Sequence, residues 1–465
     1  MSGVTAIEAG LPPAQTGVRV PAHERLVLDN GMTLVVLPRH DVPLVSFSAV
    51  LNGGESAGPA ERAGIASLVA GLLEKGAGKR DAFAFVDAVD GAGGMFGAGA
   101  GAEAIVVRGT FLARDQQLML ELLADALLRP HFAAAELEIL RDRQIELIKA
   151  AKDSDPSELL GTYGRALLFT GHPYARPVIG SERTLAAITN ADITEYYQSH
   201  FGADRLVLVV AGDVDPEWLK RAVQRRFAEW SAARAPRVVL PEPQRWAQRT
   251  VLLVDAPGAT QSHFWIGNVG VSRHYPQRAA LDLVNTLYGG RFTSILNTEL
   301  RVKSGLSYGA RSGFTRGSVA GEFAIRSFAQ TGDTVRAVDL ALQTLAHLKR
   351  DYLSAQMLAS AQAYVLGQYP LDFETAADWA AAIGQVELYG LGPEYIEDYG
   401  RQLHEVTLAD ARAVIDQVFP QPDAVAIVVI GDASQLRAQL QQYGPVAQMH
   451  LLDPEFVCSG RPARI

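Results

Sequence analysis

The chain has 465 residues, so it is too long for one ordinary hydrophobic core and is expected to form roughly two to four structural units. Hydrophobic residues make up 48% of it and charged residues 20%, which is typical of a folded globular protein and excludes extensive disorder. A formal net charge of -9, without a run of Lys or Arg, argues against nucleic acid or an anionic membrane as its main partner.

The cysteine content and the apolar runs exclude further classes of protein. The single cysteine, Cys458, cannot form an intrachain disulfide and cannot build a thiolate metal cage. No apolar run approaches the roughly 18 residues of a membrane span, and residues 1–26 lack the basic and apolar regions of a secretory signal. We therefore expect a cytoplasmic protein, or a periplasmic one if a signal peptide has been removed.

The first elements along the chain are two strand patterns and a helix. MTLVVL, from Met32, and FSAVLNGG, from Phe47, have the composition of strands. RAGIASLVAGLLEKGAGK, residues 62–79, predicts a helix whose apolar positions follow helical spacing, namely Ile65, Leu68, Val69, Leu72 and Leu73. Taken alone, the small residues Ser67, Ala70 and Gly71 between them indicate close packing.

A glycine-rich segment, DGAGGMFGAGAGAEAIVV, follows at residues 90–107. One interpretation is a flexible loop that joins a helix to a strand. The segment lacks the Gly-Lys-Ser/Thr ending of a phosphate-binding loop, so nucleotide binding is not expected. Two amphipathic helices then follow, DQQLMLELLADALL and ELEILRDRQIELIKAAK.

The chain repeats itself with a long period. ITNADITEYYQSHFGADRLVLVVAGD begins at Ile188, and VTLADARAVIDQVFPQPDAVAIVVIGD begins at Val406. FSAVLNGG at Phe47 and FWIGNVG at Phe264 are separated by nearly the same offset. Because a constant offset indicates a duplicated architecture, we predict two homologous halves.

The pattern favours an α+β fold in which each half is a mostly antiparallel sheet packed with helices, because strands and helices occur in separate groups. We predict an N-terminal half over 1–231, a proline-containing linker over 232–250 and a C-terminal half over 251–465.

Two motifs in this order resemble the pitrilysin and insulinase-like zinc peptidases, which include the mitochondrial processing peptidase. GHPYARPVIGSERTLAAIT, from Gly171, resembles the signature of the family's first half. GGRFTSILNTELRVKSGLSYG, from Gly289, resembles that of the second half. The resemblance runs from about Asn30 to Asp432 and implies a chamber enclosed together with a partner subunit.

Members of this family usually carry His-x-x-Glu-His on a first-half helix, where two histidines bind Zn²⁺ and the glutamate activates water. Aligned on GIASLVAGLLEKG, the histidine positions fall at Ser67 and Gly71 and the general base falls at Ala70. Glu146, further along the chain, matches the family's distal glutamate ligand by its spacing from Gly71. One carboxylate does not hold catalytic zinc, so the resemblance implies no metal in this chain and zinc in a partner subunit.

The second half keeps an arginine and a tyrosine that resemble the family pattern LRExxGLxY. In LRVKSGLSYG these are Arg301 and Tyr308. Taken alone, an exposed arginine and a strand tyrosine are common. Within the family, both donate hydrogen bonds to a peptide carbonyl as it becomes a tetrahedral oxyanion. The resemblance also implies that the glycine-rich segment is a sheet edge that binds substrate main chain at Gly97, Ala98, Gly99 and Ala100.

The expected function is that of a non-catalytic, substrate-binding subunit of a heterodimeric zinc metalloendopeptidase, inactive alone and paired with a homologue that has an intact His-x-x-Glu-His. A homodimer is possible in isolation. The alternative is a structural core-type subunit of a larger complex, without a peptidase role. An independent hydrolase using Ser67 is disfavoured, because no Gly-x-Ser-x-Gly motif surrounds that residue.

Overall fold

The computed structural model describes residues 17–350 and 353–457, so Cys458 lies outside the described residues. The strands are β1 Glu24–Val27, β2 Thr33–Pro38, β3 Leu44–Asn52, β4 Gly76–Ala77, β5 Arg80–Asp81, β6 Met95–Ala100, β7 Ala104–Leu112, β8 Leu206–Gly212, β9 Thr250–Asp255, β10 Gln261–Val269, β11 Ala310–Phe314, β12 Glu322–Gln330, β13 Ala426–Gly431 and β14 Val446–His450.

Helices lie mostly between the strands of each half. They are α1 Gly54–Ala57, α2 Ile65–Leu72, α3 Ala82–Gly91, α4 Gln116–Leu128, α5 Ala134–Ser154, α6 Leu160–Leu168, α7 Glu182–Ala186, α8 Asn190–His200, α9 Pro216–Phe227, α10 Arg278–Asn285, α11 Ile295–Asn297, α12 Thr334–Leu348, α13 Ala355–Gln368, α14 Ala376–Leu388, α15 Glu394–Glu397, α16 Tyr399–Glu405, α17 Leu408–Val418 and α18 Ala433–Leu440. Two π-helical turns, Thr286–Gly290 and Thr298–Lys303, follow α10 and α11. In the parts of the chain that the structure describes, no helix combines the length and the apolar character of a membrane span.

Two six-stranded sheets form the framework. The first sheet has the order β1-β2-β8-β3-β7-β6, and only its β2/β8 pairing is parallel. The second sheet has the order β14-β9-β13-β10-β12-β11, in which β9 is parallel to both of its neighbours. The prediction of an α+β fold with mostly antiparallel sheets in two halves is therefore confirmed.

The two sheets reproduce the repeat strand by strand. Thr33 and Thr250 begin equivalent strands, and Leu44 and Gln261 begin another equivalent pair at the same offset. The repeat fails at one edge, because β1 is antiparallel to β2 whereas β14, in the equivalent position, is parallel to β9.

The halves exchange a helix. α6, from the first half, packs on β10 and β13 of the second sheet, and α14, from the second half, packs on β3 and β8 of the first sheet. Gly164 of α6 lies against the buried ring of Trp265, and Gly384 of α14 lies against Val50 and Ser48. Because each half supplies part of the other's packing, the two halves form one interlocked body.

The segment predicted as a linker contains no helix or strand until Thr250, which begins β9. It is held by both halves. The carbonyl oxygen of Pro241 accepts a hydrogen bond from His172 Nε2 at 2.8 Å, and Arg245 Nη1 donates to the carbonyl oxygen of Gln417 at 3.0 Å. The domain boundaries at 231 and 251 stay a prediction.

Candidate functional site

The helix that resembles the zinc-binding helix is α2. Its N-cap, Gly64, has a φ of 95°, in the left-handed region that glycine adopts most readily. The predicted apolar positions are all buried, namely Ile65, Leu68, Val69, Leu72 and Leu73. The packing surface of this helix is therefore as the sequence predicts, and α2 lies against β6 and α5.

The three α2 positions that align with the family's two metal ligands and its general base offer no side chains that bind zinc well. Ser67 and Gly71 are half-buried and Ala70 is buried. A Cβ atom on Gly71 would lie 2.7 Å from Cδ2 of Leu140 in α5, so a histidine there would require Leu140 to move. A hydroxyl is the one polar side chain that these positions offer, and it is a poor ligand for Zn²⁺.

Glu146 is not the α5 residue that faces Gly71. Leu140 makes that contact, and Glu146 lies further along α5, at about 240° around the helix from Leu140. The Glu146 carboxylate is 70% exposed and accepts a hydrogen bond from Lys149 Nζ at 2.9 Å. The linear spacing from Gly71 to Glu146 matches the family pattern, but the α5 residue in direct contact with Gly71 is Leu140.

The donors around α2 do not fit a zinc ion. Over residues 17–350 and 353–457, no three His, Cys, Asp or Glu side chains are grouped as a metal site requires. We therefore derive no chemical step through a metal bound to this chain.

A buried carboxylate that the sequence analysis missed holds the start of α2. Glu55 is 1% exposed, and its two oxygens accept hydrogen bonds from the backbone N–H groups of Gly64, at 3.0 Å, and Ala66, at 3.3 Å. Burial raises the pKa of Glu55 to about 8, although these hydrogen bonds and nearby Arg176 oppose the shift. No local signal marked it, because its partners lie beyond the next turn of the chain.

Arg301 and Tyr308 lie together in the second half. The guanidinium of Arg301, in the π-helical turn after α11, lies over two aromatic rings. Its Cζ atom lies 4.3 Å from the ring centre of Tyr308 and 4.8 Å from that of Phe292. Tyr308 is 75% exposed and Phe292 66% exposed, so this arginine–aromatic cluster faces solvent.

Buried Asn297 ties the two ends of this cluster together. Its side-chain Nδ2 donates to the carbonyl oxygen of Phe292 at 2.7 Å, and its Oδ1 accepts from the N–H of Ala310 at 3.1 Å. One amide therefore fixes the segment that carries Phe292 and the start of β11, next to Tyr308. No sequence motif marks Asn297, because its role depends on contacts both before and after it in the chain.

The central part of the glycine-rich segment is a strand and not a flexible loop. Gly97, Ala98, Gly99 and Ala100 belong to β6, the last strand of the first sheet, which pairs with β7. A Cβ atom on Gly97 or Gly99 would meet no atom within 4 Å. The strand therefore offers a free edge among the described residues, as strand addition by a peptide requires.

A cavity of about 950 Å³ lies beside β6, between the halves. It is lined by all four glycine-rich positions, by α14, and by the loop between β11 and β12. Ser67, Ala70, Gly71, Arg301 and Tyr308 are not among its lining residues. The structure thus brings the predicted substrate strand to a cavity whose lining does not include the Arg301–Tyr308 pair.

Two family models match the chain. Residues 34–182 match the insulinase model of peptidase family M16, and residues 187–365 match the model described as the peptidase M16 inactive domain. Together the two matches span most of both halves.

Similar proteins and structures agree with these matches. An uncharacterized zinc protease of Mycobacterium leprae is 26% identical over 87% of this chain and 91% of its own length, and one of Mycobacterium tuberculosis is 27% identical over 90% and 96%. The mitochondrial-processing peptidase subunit beta of Lentinula edodes is 24% identical over 46% of each chain.

Two solved structures share the fold. A peptidase M16 inactive domain from Pseudomonas fluorescens superposes with a TM-score of 0.82 and 22% identity, covering 88% of this chain and 98% of that one. A protease from Helicobacter pylori has a TM-score of 0.79 and 18% identity, covering 88% and 99%. We conclude from the matched models, these relatives and the equivalent sheets of the two halves that the chain belongs to the insulinase-like peptidase family M16.

Proposed function

We propose that this chain is the zinc-free, substrate-binding subunit of a heterodimeric M16 metalloendopeptidase. The observation that carries the proposal is the contact of Arg301 with exposed Tyr308, 4.3 Å from Cζ to ring centre, in a chain whose α2 helix lacks metal ligands. A partner with an intact His-x-x-Glu-His supplies zinc and activated water. This chain supplies groups that bind the peptide.

Arg301 and Tyr308 act on the substrate carbonyl in this proposal. The rings of Tyr308 and Phe292 both lie against the guanidinium and restrict the position of its N–H groups. In the complex they and the Tyr308 hydroxyl donate hydrogen bonds to the carbonyl oxygen as negative charge develops on it. Donors that are already positioned stabilise such charge with little reorganisation.

The free edge of β6 supports the binding part of the proposal. Its backbone N–H and C=O groups can extend the first sheet by one substrate strand, and Gly97 and Gly99 leave room for close approach. A purely structural subunit has no need of an open edge or of an exposed arginine–aromatic cluster.

Substitutions in the reconstituted complex test the proposal. Arg301→Ala and Tyr308→Phe are each expected to lower peptide turnover at least about ten-fold, since removing one oxyanion donor typically costs about 2.7 to 4 kcal/mol. The matched control is Arg311→Ala, because Arg311 is an exposed arginine on β11 in the same half. Turnover equal to that of the control in both variants would refute the assigned role and favour the structural alternative.

A further inference from the structure

The cavity beside β6 has a surplus of positive charge, although the whole chain carries a net charge of -9. Five arginines line it, namely Arg108, Arg165, Arg176, Arg273 and Arg316, against one acidic residue, Glu103. Arg316 is paired with Asp282, and Arg165 lies 3.8 Å from Glu322. The other three have no carboxylate within ion-pair distance in the described structure.

Arg108 is the most available of these cations. It projects from β7 on the face opposite the hydrophobic core, is exposed, and has no hydrogen bond or ion pair to any described residue. Arg176, by contrast, donates to the carbonyl oxygens of Ser56 and Gly58. Arg273 lies over the ring of Tyr389 at 5.0 Å.

The sheet floor around Arg108 is shaped for an extended chain. α14 covers β3 and β8 but leaves the outer face of β7 and β6 open. On that face Gly97 is the cross-strand neighbour of Arg108, and Gly99 is the neighbour of Val106. Both glycines leave open space above the sheet, and Val106 supplies an apolar contact.

A second polar group in the cavity lacks a partner. The hydroxyl of Ser48, the other cross-strand neighbour of Arg108, is buried and has no hydrogen bond among the described residues. Gly384 of α14 lies against Ser48, so this hydroxyl is covered by the helix and is not counted among the groups that face a ligand. The only carboxylate that lines the described cavity, Glu103, accepts hydrogen bonds from Tyr174 and Ser318.

We propose that this cavity binds extended peptide segments that carry acidic side chains, and that Arg108 pairs with one of those carboxylates. The charge of the lining selects the carboxylate, since guanidinium and carboxylate groups form strong charge-assisted hydrogen bonds. The glycine floor and the free edge of β6 select an extended main chain. The volume of about 950 Å³ is near the upper limit of pockets for small ligands, which favours a peptide segment. This inference rests on the proposed peptide-binding function and adds the charge of the peptide.

Fluorescence anisotropy with the isolated full chain tests it. Three labelled peptides of equal length are compared: one rich in Asp and Glu, its Asn and Gln counterpart, and one rich in Lys and Arg. We expect the acidic peptide to bind at least about ten-fold more tightly than its amide counterpart, and its affinity to fall as salt is added. Equal affinity for these two, or preference for the basic peptide, overturns the proposal.

Variants locate the binding site. Arg108→Glu is expected to weaken acidic-peptide binding at least about ten-fold, whereas Arg311→Glu, outside the cavity, leaves it unchanged. Gly99→Leu fills the floor at a position where an added Cβ meets no atom, so it folds but blocks the peptide. Equal effects of the two arginine variants overturn the assignment.

Because no partner or zinc is needed, this test is separate from that of the proposed function. If Arg301→Ala abolishes turnover in the complex while acidic and amide peptides bind equally, only the charge preference fails.

Discussion

The buried carboxyl of Glu55 makes the stability of the chain depend on pH in a predictable direction. The ordinary glutamate pKa of 4.5, which applies to the unfolded chain, rises to about 8 in the folded chain because of burial. Between these two values the folded state holds a proton that the unfolded state has released. The stability that protonated Glu55 contributes is therefore fully present below about pH 4.5 and is lost as the pH rises toward 8.

Each pKa unit corresponds to about 1.4 kcal/mol. The rise in the Glu55 pKa from 4.5 to about 8 therefore changes the free energy of unfolding by roughly 5 kcal/mol across this pH range. Glu55→Gln removes the titration and keeps one oxygen to accept from Gly64 or Ala66. Urea unfolding at several pH values should show the wild-type free energy of unfolding falling by several kcal/mol more than that of the variant. Glu61→Gln, at an exposed carboxylate near α2, is the control. If the free energy of unfolding has the same pH dependence in the wild type and in Glu55→Gln, Glu55 does not control the stability in this pH range.

Two further predictions concern packing and positioning. Asn297→Leu leaves the Phe292 carbonyl and the Ala310 N–H without partners, so urea unfolding should show a free energy of unfolding lower by about 2 kcal/mol. We also expect a lower turnover of the complex at temperatures where the chain is folded. Asn190→Leu, which removes a comparable bond to the Phe132 carbonyl in the first half, should leave turnover unchanged; equal turnover in both variants would contradict the positioning role. Gly164→Ala places a Cβ 2.7 Å from the buried ring of Trp265 and should destabilise by about 1 to 3 kcal/mol. Gly161→Ala, on the same helix, meets the movable guanidinium groups of Arg326 and Arg165 and should be neutral or stabilising. The opposite order of melting temperatures would show that α6 does not pack closely on the second sheet.

The repeat could be predicted because each half carries the same local patterns. Strands such as Thr33–Pro38 and Thr250–Asp255 combine β-branched and apolar residues with a fixed offset, and both properties are visible in the sequence. The exchange of α6 and α14 could not be predicted in this way. An apolar helix face shows that a helix is packed, but it does not show which of two similar sheets it covers.

In the candidate site, too, features with a local sequence pattern could be predicted and features that depend on tertiary contacts could not. Arg301 and Tyr308 were found by their spacing, and the structure places them in contact. Glu146 was also found by its spacing, yet it lies on a different face of α5 from the residue that meets Gly71, because linear distance does not determine the face of a helix. Glu55, Asn297 and Arg108 depend on tertiary contacts or on the absence of a partner, and neither property has a local pattern.

We propose that this chain lacks catalytic zinc and acts only with a zinc-bearing partner. The most direct measurement is the zinc content and peptide turnover of the purified chain, alone and after mixing with a homologous subunit that carries an intact His-x-x-Glu-His. We expect no stoichiometric zinc and no turnover for the chain alone, and turnover by the mixture well above that of the partner alone. Stoichiometric zinc with turnover by the isolated chain, or no effect of the chain on the partner, would contradict it.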